Sequence, residues 1–117
     1  MQKLKSSYEK LSKKNKIIFL AGLFDGEGSF GIWGKGGGRK TFQCGVEMTD
    51  KDNIARFSAF FGGSIHKCKI RKPHWTQTWR WRLNGQRAYD CMNRLIEYMC
   101  IRRQEKFNVV KCNKISR

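Results

Sequence analysis

The sequence predicts an α+β domain in the order α-ββ-α-ββ-α(α), an antiparallel β-saddle with helices on the opposite face. Three observations predict it. Two pairs of segments alternate apolar and polar residues, and each pair is joined by a turn-forming stretch. Apolar stripes at helical spacing lie before, between and after those pairs. The length, 117 residues, suits one core and is too short for two.

The run from Ile17 to Asp25, IIFLAGLFD, is apolar with small residues inside it. Ala21-Gly22 and the closing Gly26 and Gly28 favour a buried helix over a buried strand. Phe30 and Ile32 then alternate with Ser29, Gly31 and Trp33 as a strand, and Gly34 to Gly38 turn the chain. The partner strand puts Phe42, Cys44, Val46 and Met48 on one face and Thr41, Gln43, Gly45 and Glu47 on the other. A helix starts near Thr49-Asp50, either of which could cap it. Ile54, Phe57 and Phe61 form its stripe, and Gly62-Gly63 stop it. A second hairpin is expected over residues 64–70 and 76–83, turning at Lys72-Pro73-His74. Its second strand points Gln77, Trp79, Trp81 and Leu83 one way and Thr76, Thr78, Arg80 and Arg82 the other, a half-buried strand with an electropositive open face. Two helical patterns close the chain: Ala88, Cys91, Met92, Leu95, Ile96 and Met99, then Phe107 and Val110. Residues 1–16 read as a basic extension, with Leu4, Tyr8 and Leu11 suggesting a short helix, and residues 17–117 as the domain. That extension contains Glu9 and no arginine, which fits an organelle transit peptide poorly.

Eight Phe, four Trp and three Tyr supply too much apolar surface for intrinsic disorder, and no apolar run approaches the ~18 residues of a membrane span. The five cysteines, Cys44, Cys68, Cys91, Cys100 and Cys112, contain no C-x-x-C pair, which argues against structural zinc. Their odd number and the missing signal peptide argue against a disulfide framework and for reduced thiols in an intracellular protein. His66 and His74 read as a strand residue and a turn residue rather than metal ligands. The charge points elsewhere: 25 Lys and Arg against 9 Asp and Glu give +16, and a polyanion, nucleic acid first, is the expected partner. From Asn53 to Tyr89 there is no carboxylate, while Arg56, Lys67, Lys69, Arg71, Lys72, Arg80, Arg82 and Arg87 fall inside that stretch. The uncovered sheet face would carry Trp33, Lys35, Arg39, Thr41, Gln43, Glu47, Lys67, Lys69, Arg71, Thr78, Arg80 and Arg82. A twisted basic ribbon of this kind fits the DNA major groove, where long polar side chains at every second position reach base edges.

The segment Leu20-Ala21-Gly22-Leu23-Phe24-Asp25-Gly26-Glu27-Gly28 is the most informative. Gly26 to Gly31 match the dinucleotide-binding pattern G-x-G-x-x-G, but here the pattern ends a helix and opens a strand, with no parallel βαβ unit following. Glycines that merely cap a core helix would explain Gly26 or Gly28. They would not explain two carboxylates, Asp25 and Glu27, beside an apolar helix in so acid-poor a chain. LAGLFDGEG closely resembles the defining motif of the LAGLIDADG homing endonucleases, with Phe for Ile, Gly for Ala and Glu for the last Asp. The order α-ββ-α-ββ-α also matches that family's domain over nearly the whole chain.

The resemblance implies a site-specific, double-stranded DNA endonuclease, a phosphodiester hydrolase that makes a staggered cut with short 3′ overhangs during intron homing. A single motif implies a homodimer on an approximately palindromic site. Leu20, Ala21, Gly22, Phe24 and Asp25 would form the motif helix and dimer interface, with Ala21 and Gly22 letting two backbones approach and Asp25 in a structural or interface role. Glu27 would hold the metal, with the Gly26 carbonyl beside it. Magnesium is the implied ion, with manganese able to substitute and calcium able to bind without supporting cleavage. Arg103-Gln104 matches the family's basic pair at the scissile phosphate, with Arg102 adjacent. Asp50 would either position a catalytic water or cap its helix. The assisting arginine that some relatives carry one turn further falls at Ile54, so it is absent or supplied by Arg56. Neither a membrane nor a nucleotide cofactor is implied. The expected setting is a bacterial or phage-infected cytoplasm or an organelle. Two alternatives stay open: a non-cleaving DNA-binding regulator or RNA intron maturase of the same fold, and a basic ribosomal or nucleoid protein with an accidental motif.

Overall fold

A computed structural model describes residues 6–34 and 40–115, with side chains described as far as Lys111. Lys35 and Arg39, expected on the open face, and Leu4 lie outside the described residues. After a 3-10 turn at Tyr8–Lys10, the elements are α1 (Lys13–Glu27), β1 (Gly28–Gly34), β2 (Lys40–Met48), α2 (Lys51–Phe61), β3 (Ile65–Lys67), β4 (Trp79–Asn84), α3 (Gly85–Leu95) and α4 (Ile101–Ile115), with a second 3-10 turn at Ile96–Tyr98. The four strands form one antiparallel sheet in the order β1-β2-β4-β3. The expected α+β order is the order found.

The first helix is longer than its apolar run at both ends. The Ser12 hydroxyl accepts the Asn15 amide at 3.2 Å, so the helix starts at Lys13 and takes in the end of the basic segment. At the other end Gly26 does not stop it, and the last turn runs through Glu27. Gly28 caps it in extended conformation, and glycine is needed there for packing: a Cβ would fall 2.6 Å from the Phe24 ring. The expected helix near Leu4, Tyr8 and Leu11 is, within the described residues, one 3-10 turn. Tyr8 is nevertheless buried, 5.2 Å from the Phe19 ring and under the Arg56 guanidinium at 4.5 Å.

The core lies between the sheet and the helices. Phe30, Phe42, Cys44, Val46, Trp81 and Leu83 project from the strands onto Leu20, Phe24, Ile54, Phe57, Met92, Leu95 and Phe107. Trp81 stacks on Phe57 at 5.0 Å and its Nε1–H donates to the Gly62 carbonyl at 2.8 Å, tying β4 to the end of α2. That end needs glycine, since Gly62 closes the helix at φ 80°. Cys44, Cys68, Cys91 and Cys100 are free thiols. Cys91 is pushed up in pKa by its hydrogen bond to Cys44 and by burial, so its thiol stays protonated.

The second hairpin is shorter than its sequence pattern. Pairing stops at Lys67 and Trp79. One further bond, Cys68 N–H to the Thr78 carbonyl at 3.0 Å, continues the direction. The Gln77 side-chain amide then takes the Cys68 carbonyl at 2.6 Å, an acceptor the ladder would otherwise have used.

Candidate nucleic-acid interface

The period-two alternation of β2 and β4 puts their polar residues in rows across the sheet's open face. Ser29, Gly45 and Arg82 form one row, and Glu47, Arg80 and His66 the next. Gly45 leaves no room for a side chain, since a Cβ would meet the Trp81 carbonyl at 2.6 Å. The face is hollow there. A concavity of about 410 Å³ is lined by Glu27, Ser29, Trp33, Gln43, Glu47, Arg80 and Arg82. A second, of about 440 Å³, shares Glu47 and Arg80 and continues past Lys69, Ile70, Arg71, Trp75 and Thr78. Together they make a trough from the end of α1 to the tip of the second hairpin.

Trp33, Thr41, Lys69, Arg71, Thr78, Arg80 and Arg82 retain exposed surface on or beside this trough. Lys67 is a correction: it pairs with Trp79, one residue out of step with the His66–Arg80 row, so it lies on the opposite face of the sheet. Trp33 folds back over Gly31, where a Cβ would lie 3.1 Å from its ring, and presents an indole that is 45% exposed. Gln43 is a correction: only 7% of it is exposed, so it lines the floor more than it reaches out. Glu47 accepts from Arg80 Nη2 at 3.1 Å and Nε at 3.3 Å, and from the Thr78 hydroxyl at 3.0 Å. Burial pushes the Glu47 carboxyl up, but these hydrogen bonds outweigh it and hold its pKa below the ordinary value.

Sequence reasoning missed Trp75, which is 48% exposed at the hairpin tip with the Lys72 ammonium 5.3 Å from its ring. On the helix-covered face, the Lys51 ammonium lies 4.5 Å over the Trp79 ring, which Lys67 approaches at 5.8 Å. An exposed tryptophan beside lysines in an acid-free stretch was the available signal for Trp75. Nothing local to Lys51 foretold its ring.

The carboxylate of the motif helix opens onto the same trough. Glu27 is exposed and is the last residue of α1. The Gly28 amide takes the Phe24 carbonyl, so the Gly26 carbonyl has no later helical donor and belongs to the partly negative helix end. Hard oxygen donors of this kind suit magnesium. Among the described residues no three His, Cys, Asp or Glu side chains converge.

The basic pair is divided. Arg103 Nε lies 3.8 Å from Asp25 Oδ1, with 16% of its side chain exposed, and makes no hydrogen bond there. Gln104 Nε2 donates to the Met99 carbonyl at 3.0 Å. These two side chains are engaged at the junction of α1 and α4, whereas Arg102 is exposed. Lys106, one turn beyond Arg102, places its ammonium 4.7 Å from the Phe30 ring, and burial with repulsion from Arg103 and Arg102 lowers its pKa. Asp25 Oδ1 accepts the Cys100 amide at 3.2 Å, immediately ahead of α4. Replacing Asp25 with Ala removes that acceptor and the counter-ion of Arg103, and should cost about 1–3 kcal/mol. A thermal melt with an unchanged midpoint would contradict this structural role.

Two further expectations change. Leu20, Ala21 and Phe24 are fully buried in their own core and have no surface for a second copy. The open row of α1 is instead Ile18, Gly22 and Gly26, at i, i+4 and i+8; Ile18 is 40% exposed, and a Cβ at either glycine meets nothing within 4 Å. Arg56 cannot serve the trough, because its guanidinium is bound to Asn53 and Ser6, both at 2.9 Å, beneath the N-terminal turn. Asp50 occupies the position before α2, but its side chain accepts no capping hydrogen bond.

No family model matches the sequence. No curated protein matches it either. Solved structures do. I-GzeII, a LAGLIDADG homing endonuclease in complex with its DNA target, is 19% identical over 86% of this chain and 36% of its own, with a TM-score of 0.62. The homing endonuclease I-CvuI, solved with its target in the presence of calcium, is 16% identical over 85% of this chain and 66% of its own, with a TM-score of 0.63. The archaeal intron-encoded I-Vdi141I, complexed with DNA, is 19% identical over 86% of this chain and 62% of its own, at 0.51. The chain thus spans about a third of I-GzeII and about two thirds of I-CvuI. These likenesses show the fold.

Proposed function

We propose, from its LAGLIDADG homing-endonuclease fold, that the chain is a site-specific, double-stranded DNA endonuclease that works as a homodimer with a divalent metal. The observation that supports this most is one continuous trough with an exposed carboxylate at one end and Arg80, Arg82, Lys69 and Arg71 along it. A duplex-binding surface and a hard-oxygen donor therefore share one face. The open Ile18-Gly22-Gly26 row supports the dimer, since two copies meeting along it would bring both Glu27 side chains near one axis. The target would be approximately palindromic, and the two saddles would read its half-sites.

Each chain would contribute Glu27 and the Gly26 carbonyl, and DNA phosphates and waters would complete the shell. Bound there, magnesium would polarise the scissile phosphate toward hydrolysis. Arg102 would offset charge developing at that phosphate, and Asp50, free of a capping duty, would orient a water. Arg80, Arg82, Lys69 and Arg71 would hold the duplex in register. The cut would be staggered with short 3′ overhangs, in keeping with two sites that straddle a minor groove. The test is incubation of the purified protein with a duplex library: double-strand breaks formed in magnesium and not in EDTA support the reading, and intact DNA under both conditions opposes it.

A further inference from the structure

Glu47 is the only acid in the four strands of a face otherwise built to attract a polyanion. A carboxylate there repels phosphates, and its pairing with Arg80 cancels a positive charge that would have attracted them. The pair therefore adds little to backbone affinity, and its geometry suits another use. Arg80 spends Nε and one Nη2 hydrogen on Glu47 Oε1. Among the described residues nothing accepts from Nη1, so the end-on fork of Nη1 and Nη2 remains to project from the strand. That fork matches the O6 and N7 acceptors of guanine. The Thr78 hydroxyl fixes the other carboxylate oxygen. The lone pairs still open on Glu47 accept only from a donor, and in a G·C pair the cytosine N4 amino group lies beside the guanine acceptors in the major groove.

On the reading of this face as a DNA-binding surface, we propose that Glu47 is a specificity-determining residue: it holds Arg80 end-on to a guanine and accepts from the cytosine amino group, so that the two read one G·C pair per half-site. Thymine O4 or guanine O6 opposite Glu47 would meet a second acceptor, so the carboxylate rejects the wrong bases as well as receiving the right one.

The experiment is a selection of bound duplexes from a randomised library, in EDTA and at one salt concentration, with the wild-type chain, Glu47→Gln and Arg80→Ala. Both substitutions lie on the exposed face, and matching thermal melts would establish intact folding. The wild type should enrich a site with one stringent G·C position in each half. Glu47→Gln should relax that position by about 10- to 100-fold, the worth of one good bidentate contact, and leave the other positions as they were. Arg80→Ala should relax the same position. A merely structural Glu47 would not move a single base preference. If Glu47→Gln selects the wild-type site with undiminished stringency, or weakens every position alike, the inference is overturned while the DNA-binding reading stands. If the wild type enriches no duplex, both are overturned.

Discussion

Replacing Glu27 with Gln should abolish cleavage while the protein still binds its DNA. The amide keeps the shape of the side chain and removes the charge that holds a divalent cation, and the exposed position gives it no part in the core. A cation that polarises a phosphate contributes several kcal/mol to lowering the barrier, so the rate should fall by about three orders of magnitude or more. Binding should persist and tighten slightly at low salt, since one negative charge leaves the trough. Single-turnover cleavage and a gel-shift titration on one duplex separate the two effects. Loss of binding together with cutting would contradict the assignment of Glu27 to the metal.

The second large effect concerns the face of α1. In one chain a Cβ at Gly22 meets nothing within 4 Å, so Gly22→Leu should leave the protomer folded and even raise helix stability by up to about 1 kcal/mol. Against a second copy the same side chain would push two close-packed backbones apart. Sedimentation should therefore show a dimeric wild type and a monomeric variant, and cleavage should be lost with the dimer. A dimeric Gly22→Leu variant that cuts normally would contradict the role given to the Ile18-Gly22-Gly26 row. The opposite signs expected for fold and assembly distinguish this from ordinary destabilisation.

The strands with clean alternation were legible from sequence. Phe42, Cys44 and Val46 fall inward and Glu47 outward because a pleated strand permits no other assignment once one face is buried. The helix stripes at Ile54-Phe57 and Met92-Leu95 were legible for the same reason at a period of 3.6. What was not legible depends on contacts distant in sequence. Gly26 resembles a helix stop, but α1 runs on through Glu27, and the glycine that packing requires is Gly28, where the Phe24 ring occupies the place of a Cβ. The second hairpin was overextended because nothing local shows that the Gln77 side chain replaces a ladder bond.

In the site, the motif singled out Glu27, which the fold places at the mouth of the trough, but its reading of which side of the helix faces outward was wrong for Leu20, Ala21 and Phe24. Leu20, Ala21 and Phe24 are apolar and resemble an interface, yet the sheet claims them, and the exposed row is marked by two glycines instead. The same ambiguity separated Arg102 from Arg103: one step along α4 turns a side chain by about 100°, from solvent to the Asp25 carboxylate. Sequence spacing put the right residue types together. Only packing could say which of two neighbours is available for chemistry.

Sequencing the ends formed when the purified chain meets a randomised duplex library, in magnesium and separately in EDTA, decides whether this chain is a site-specific endonuclease. One recurrent, near-palindromic site, cut on both strands with short 3′ overhangs, should appear in magnesium alone. Ends scattered without a common site, cutting that persists in EDTA, or DNA left uncut in magnesium by folded protein would contradict it.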